Sequence, residues 1–165
     1  MSIRLIAAGA ALLSLVAACR ANGCAERPAL KPPVAQGQFK VASTFGLRRN
    51  PISGHITFHA GIDLWGRPSA AVFNMLDGRV VGLEPDANGA VTITVEHCGG
   101  WVSEYRHVVD PIVAVGQMTP RGARLASIGR LAESSRGARI HVSLSLNGRP
   151  IDPLPLFANA ARHRE

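Results

Sequence analysis

Apolar side chains fall along this chain in short runs of strand length, at 72–75, 79–83, 91–96, 101–107, 124–128 and 140–146, with glycines and prolines in the gaps. Runs of this length, rich in valine, isoleucine and threonine, read as β-strands. No helical period is sustained beyond the N-terminal apolar stretch. The expected fold is therefore all-β, a compact antiparallel β-sheet domain with a groove. Within 139–143 the alternation places Arg139, His141 and Ser143 on one face, about 7 Å between successive members, and turns Ile140 and Val142 to the core. The same reading puts Tyr105 and His107 on a shared face of 101–107.

The chain ends are of a different kind. Arg4 precedes an apolar run over 5–16, a dozen residues, which suits an export signal and is too short to span a bilayer as a helix. Its close, Leu15-Val16-Ala17-Ala18-Cys19, resembles the bacterial lipobox, whose cysteine is lipidated and becomes the mature N-terminus; ordinary cleavage near Ala18 or Ala21 is the alternative. Pro28, Pro32 and Pro33 follow among small and polar residues and suggest a semi-extended spacer. The expected layout is a signal over 1–18, a Pro-rich linker over 19–38, one folded domain over 39–157 and a polar tail over 158–165, with the protein lipid-anchored in the cell envelope and facing the periplasm.

Charge and cysteines change this picture only slightly. The formal net charge of +7 either draws an exported protein to anionic envelope material or is a plain solvated surface, and export removes nucleic acid as a partner. With Cys19 lipidated, Cys24 and Cys98 either pair in an oxidising compartment or both stay free.

The chemistry gathers at His59-Ala60-Gly61-Ile62-Asp63. An imidazole and a carboxylate four residues apart lie roughly 13 Å from each other on a straight strand. The glycines and Pro68 nearby argue against a helix, and Gly61 suits a close turn that brings both side chains to one point. Such a pair either binds a metal or simply hydrogen-bonds to itself.

The wider run Phe45-Gly46-Leu47-Arg48, Pro51, Gly54 and His59-x-Gly61-x-Asp63-Leu64 resembles the opening motif of the lysostaphin-like, LytM-type zinc endopeptidases. The likeness continues in order through Gly78-x-Val80, 91–97, Gly100, Tyr105-x-His107, Gly116, Gly129, Gly137-x-x-Ile140-His141 and Asn147-Gly148-x-Pro150-x-Asp152-Pro153. It implies a β-domain with zinc on the floor of its groove, held by His59, Asp63 and His141. Three protein ligands leave one position open, the arrangement of a catalytic zinc site. His107 matches the family's catalytic histidine, which steadies the oxyanion or moves a proton beside the metal. The implied substrate is the peptide cross-link of peptidoglycan, and the resemblance leaves room for a wall amidase as partner.

Several positions depart from the family pattern. Arg139 stands where the first histidine of His-x-His is expected; a guanidinium cannot act as a base, although it can donate to a developing oxyanion. Activity is therefore expected to be weak, and the alternative is a non-catalytic zinc-binding relative that binds wall or regulates another hydrolase. Ser143 replaces a glutamate, Ser69-Ala70-Ala71 replaces Gly-Thr-Pro, and Asn74 replaces an alanine, changes expected to loosen the groove. His97 reads as structural and His55 as solvent-facing. Trp65 and Trp101 either line the groove or pack, and Arg48 either contacts substrate or anchors its loop.

Overall fold

The computed structural model describes residues 28–49, 53–130 and 138–157. Its strands are β1 (Phe39–Ser43), β2 (Gly46–Arg49), β3 (Ile56–His59), β4 (Gly61–Gly66), β5 (Ala71–Phe73), β6 (Gly78–Pro85), β7 (Val91–His97), β8 (Trp101–Val109), β9 (Met118–Thr119), β10 (Arg124–Ile128), β11 (Ala138–Leu146) and β12 (Arg149–Pro150). The main sheet runs β1, β4, β11, β8, β7, β6, β9, with β10 joining β8 to β5 and β12 extending β11; β2 and β3 form a separate two-stranded sheet. Every pairing is antiparallel. The all-β expectation is borne out.

Alternation explains the core. Ile140, Val142 and Leu144 of β11 point inward with Ile62 and Leu64 of β4 and Ile93 and Val95 of β7, all essentially inaccessible to solvent. Burying each such side chain stabilises the fold by roughly 1.5–3 kcal/mol. The opposite face of β11 carries Arg139, His141 and Ser143, each partly exposed, as the sequence pattern required.

A polar chain runs through the interior beside these residues. The Tyr105 hydroxyl accepts from the Met75 N–H at 2.8 Å and donates to Asn74 Oδ1 at 3.2 Å. Asn74 Nδ2 in turn donates to the Thr119 carbonyl and hydroxyl at 3.0 and 2.9 Å. Ser103 Oγ lies 3.1 Å from Tyr105 Oη and 2.8 Å from His97 Nε2, and His97 Nδ1 donates to the Asp77 carbonyl at 3.0 Å. His97 is thus structural. Asn74 does not loosen a groove, because it is buried and its amide ties β5 to β9.

The proline-containing stretch differs from the expected spacer. Leu30 and Val34 are fully buried, and backbone bonds from Lys31 to Met75 and from Phe73 to Pro33 dock residues 28–34 onto the domain. Two apolar side chains among prolines suffice, because proline pre-orders the segment and lowers the entropy lost on docking. Trp101 packs in the core, 5% exposed. The signal, Cys19, Cys24 and the tail over 158–165 lie outside the described residues; Cys98 is disulfide-bonded.

Candidate metal centre

The His59–Asp63 segment bends at Ala60, where the chain leaves β3 in the small sheet and enters β4 in the large one. His59 Nδ1 donates to the Thr44 carbonyl at 2.8 Å, which fixes the tautomer and leaves Nε2 as a lone-pair donor. That Nε2 lies 3.5 Å from Asp63 Oδ1. His141 is paired with Asp63 in the β11–β4 register. Its Nδ1 sits 2.9 Å from Asp63 Oδ1 and 3.1 Å from His59 Nε2.

These three separations decide what the cluster can hold. Ligand atoms about 2.0–2.1 Å from a tetrahedral zinc lie about 3.3 Å from one another. The observed edges of 2.9, 3.1 and 3.5 Å scatter about that value. Two imidazole nitrogens and a carboxylate oxygen also form a donor set that zinc accepts, and both His59 and Asp63 are buried.

Gly61 is required for a reason other than the expected turn. Its φ lies outside the left-handed region, but a Cβ there would strike the Val142 carbonyl and come within 2.8 Å of the His141 ring. The glycine lets β4 and β11 close up and sets His141 against Asp63.

The second carboxylate oxygen of Asp63 faces two guanidinium groups. Arg139 Nη1 is 3.7 Å and Arg48 Nη1 4.0 Å from Oδ2. Arg48 also donates to Ser43 Oγ at 2.6 Å, so it anchors its loop to the site. Burial alone would raise the Asp63 pKa, but the His141 hydrogen bond and the charges of Arg139 and His59 outweigh it and hold the carboxyl below its ordinary value. Arg139 further lies 5.8 Å from the Trp65 ring centroid, which places Trp65 at the rim of the cluster.

His107 reaches the site by a route the alternation did not anticipate. Val91 and Ile93 of β7 pair with Val108 and Tyr105 of β8, two residues against three, so β8 carries one extra residue as a bulge. His107 has a left-handed φ of 65° within it. Tyr105 and Val108 are therefore both buried while His107 is half-buried, and Tyr105 and His107 do not share a face. Burial first, then the positive charge of Arg139, lowers the His107 pKa, with Asp86 acting in the opposite sense.

Sequence reasoning missed other contributors. The Thr44 carbonyl carries no side-chain signal at all. Glu104, opposite Ser143 in the β8–β11 register, accepts from Ser143 Oγ at 3.3 Å and pairs with Arg106 at 2.6 Å, putting a carboxylate over the position where glutamate was expected. His55 is exposed.

Peptidase family M23 matches residues 57–153, which include every residue of the cluster. The chain belongs to this family. The M23 chain is 26% identical over 136 residues to the peptidoglycan DD-endopeptidase ShyB of Vibrio cholerae, covering 82% of this chain and 32% of that one. It is 31% identical over 121 residues to an uncharacterized metalloprotease of Haemophilus influenzae, covering 72% and 25%. The M23 chain thus spans about a third or less of these relatives. Among solved structures, a zinc-containing peptidase from Vibrio cholerae superposes with a TM-score of 0.68 at 25% identity, covering 76% of this chain and 39% of that one. The lysostaphin-like, LytM-type resemblance is borne out.

Proposed function

We propose that this M23 domain is a zinc metalloendopeptidase that cuts peptide cross-links of peptidoglycan with reduced activity. The observation that carries the reading is the convergence of His59 Nε2, Asp63 Oδ1 and His141 Nδ1 at the spacing of a tetrahedral zinc site. Zinc held by these three residues would supply Lewis acidity toward the peptide carbonyl and would lower the pKa of water toward neutrality. His59 is held in the ligating tautomer by Thr44, and Asp63 stays ionised beside Arg139. His107, whose surroundings favour the neutral imidazole, takes up a proton as the carbonyl is attacked and returns it to the departing nitrogen. Arg139 supplies donors to the negative charge that grows on the carbonyl oxygen. It cannot share the proton work, which is why turnover is slow.

Purified protein incubated with peptidoglycan sacculi should release soluble muropeptides, and a chelator should stop the release. Arg139→His, which restores a second imidazole on the same face, should raise turnover by about tenfold, part of the 10²–10³ that one such group commonly contributes. A zinc-loaded wild type that releases nothing from walls of several cross-link types would favour the second reading, a binding or regulatory domain. The engagement of Arg139 with Asp63 and Trp65 supports that alternative, since it commits the guanidinium to the protein itself.

The reading extends to location. With Cys19 lipidated, the domain works at the membrane surface of the envelope, where its substrate and any amidase partner would lie. Several acyl chains hold a protein firmly where one does not, so Cys19→Ser should move it from the membrane to the soluble fraction; an unchanged distribution would remove the anchor.

A further inference from the structure

The turn over 86–90 joins β6 to β7, and at its far end Val91 pairs with Val108, the neighbour of His107. Asp86 closes this turn. Its N–H donates to the Ala90 carbonyl at 2.7 Å, and its carbonyl accepts from the Gly89 N–H at 3.1 Å. The side chain adds two more bonds, with Oδ1 accepting from the N–H groups of Asn88 at 2.8 Å and Ala90 at 3.0 Å. One carboxylate oxygen is thereby pinned by two backbone donors. The other, Oδ2, faces His107 Nδ1 at 3.9 Å.

We propose that Asp86 is a positioning residue for His107: its pinned carboxylate keeps the proton on Nδ1 and so presents Nε2 unprotonated to the cleft. The inference rests on the reading of His107 as the group that moves the proton. Four charged or titratable groups act on this imidazole, Arg139, Asp86, His141 and Asp63. Asp63 is already engaged by His141, Arg139 and Arg48, so Asp86 is the anion with an oxygen to spare. The separation of 3.9 Å exceeds a hydrogen bond, and such contacts commonly tighten only when substrate fills the site. The left-handed φ of His107 adds to the case, because strain at a non-glycine residue persists where surrounding contacts hold it. A carboxylate behind an imidazole is a general device for fixing tautomer and orientation.

Asp86 also has an ordinary use as a turn-former, and one substitution separates the two roles. Asp86→Asn keeps an amide oxygen for the turn bonds and replaces the oxygen facing His107 by an NH2 group. In ¹⁵N-labelled full-length protein, the His107 ring nitrogens should report the Nδ1–H tautomer in the wild type and a shift toward Nε2–H in Asp86→Asn. On peptidoglycan, kcat should fall about tenfold with KM unchanged, well short of the 10²–10⁴ expected from a general acid–base group itself. A wild-type His107 in the Nε2–H form, or an Asp86→Asn protein with the same tautomer and kcat, overturns the proposal. Should the wild type hydrolyse no wall at all, the assignment of peptidase activity fails, while the ring-nitrogen spectra still decide whether Asp86 orients His107.

Discussion

His141 stands in the middle of β11, paired on one side with Asp63 of β4 and on the other with Arg106 of β8. His107 stands where β8 has slipped by a residue against β7, half-exposed and with an unfavourable φ. Two donors of the ligand corner, on Asp63 and His141, are set by direct strand pairing, and the third, on His59, is set by the small sheet and the Thr44 carbonyl. The corner proposed to move the proton depends on one bulge and one hairpin turn. On the proposed function the contrast makes metal binding and turnover separable, so that the first should survive changes that remove the second.

The sharpest way to break that contrast is to compare two alanine substitutions. His141→Ala should take the protein from about one equivalent of zinc to about none, because two protein ligands rarely hold a catalytic metal, and wall hydrolysis should vanish with it. His107→Ala should keep its zinc and lose about 10²–10⁴ in rate. Metal analysis alongside muropeptide release reads both, and loss of zinc from His107→Ala would show that the corners are not independent.

Gly61→Ala sharpens the same point from the side of packing. Its Cβ would press on the Val142 carbonyl and lie 2.8 Å from the His141 ring. Overpacking of this kind costs about 1–3 kcal/mol, and urea unfolding together with a weakened zinc affinity should register it. Unchanged stability would mean that β4 and β11 can separate without penalty.

The smallest effect concerns a histidine outside the site. Burial lowers the His97 pKa despite its bond to the Asp77 carbonyl. The unfolded chain therefore binds a proton below the ordinary value of 6.5 that the folded protein still refuses. Stability is full above that pH and declines as the pH falls from it toward the folded pKa. His97→Gln should flatten the difference in urea midpoint between pH 7 and pH 5, and an equally steep dependence would assign the loss to other groups.

The face that carries His141 was legible in periodicity, while its grouping with His59 and Asp63 came from the family resemblance. Arg139, Ile140, His141, Val142 and Ser143 alternate, and the sheet follows that alternation residue by residue. The bulge was not legible, since Tyr105-Arg106-His107-Val108 offers the same letters with or without an extra residue in the ladder. The strands β1 to β4 escaped notice because Lys40, Arg48, Arg49 and several glycines dilute their apolar content, and because β1 pairs with β4 across twenty or more residues. Leu30 and Val34 were overlooked among prolines, where two buried side chains leave no periodic trace.

The slipped residue in β8 has a bearing on how such chains are aligned and edited. Tyr105 and Val108 both point inward although only two residues lie between them, a spacing that on an even strand would send them to opposite sides. Residue count between these two positions, and not residue type, decides which side carries the imidazole. Removing Arg106 would restore even counting and put His107 in the outward place opposite His141 that Arg106 now holds, so a one-residue deletion there moves the imidazole as no replacement at the same place can. An alignment that slides its gap by one position through this stretch will pair the imidazole with a core residue and hide the correspondence.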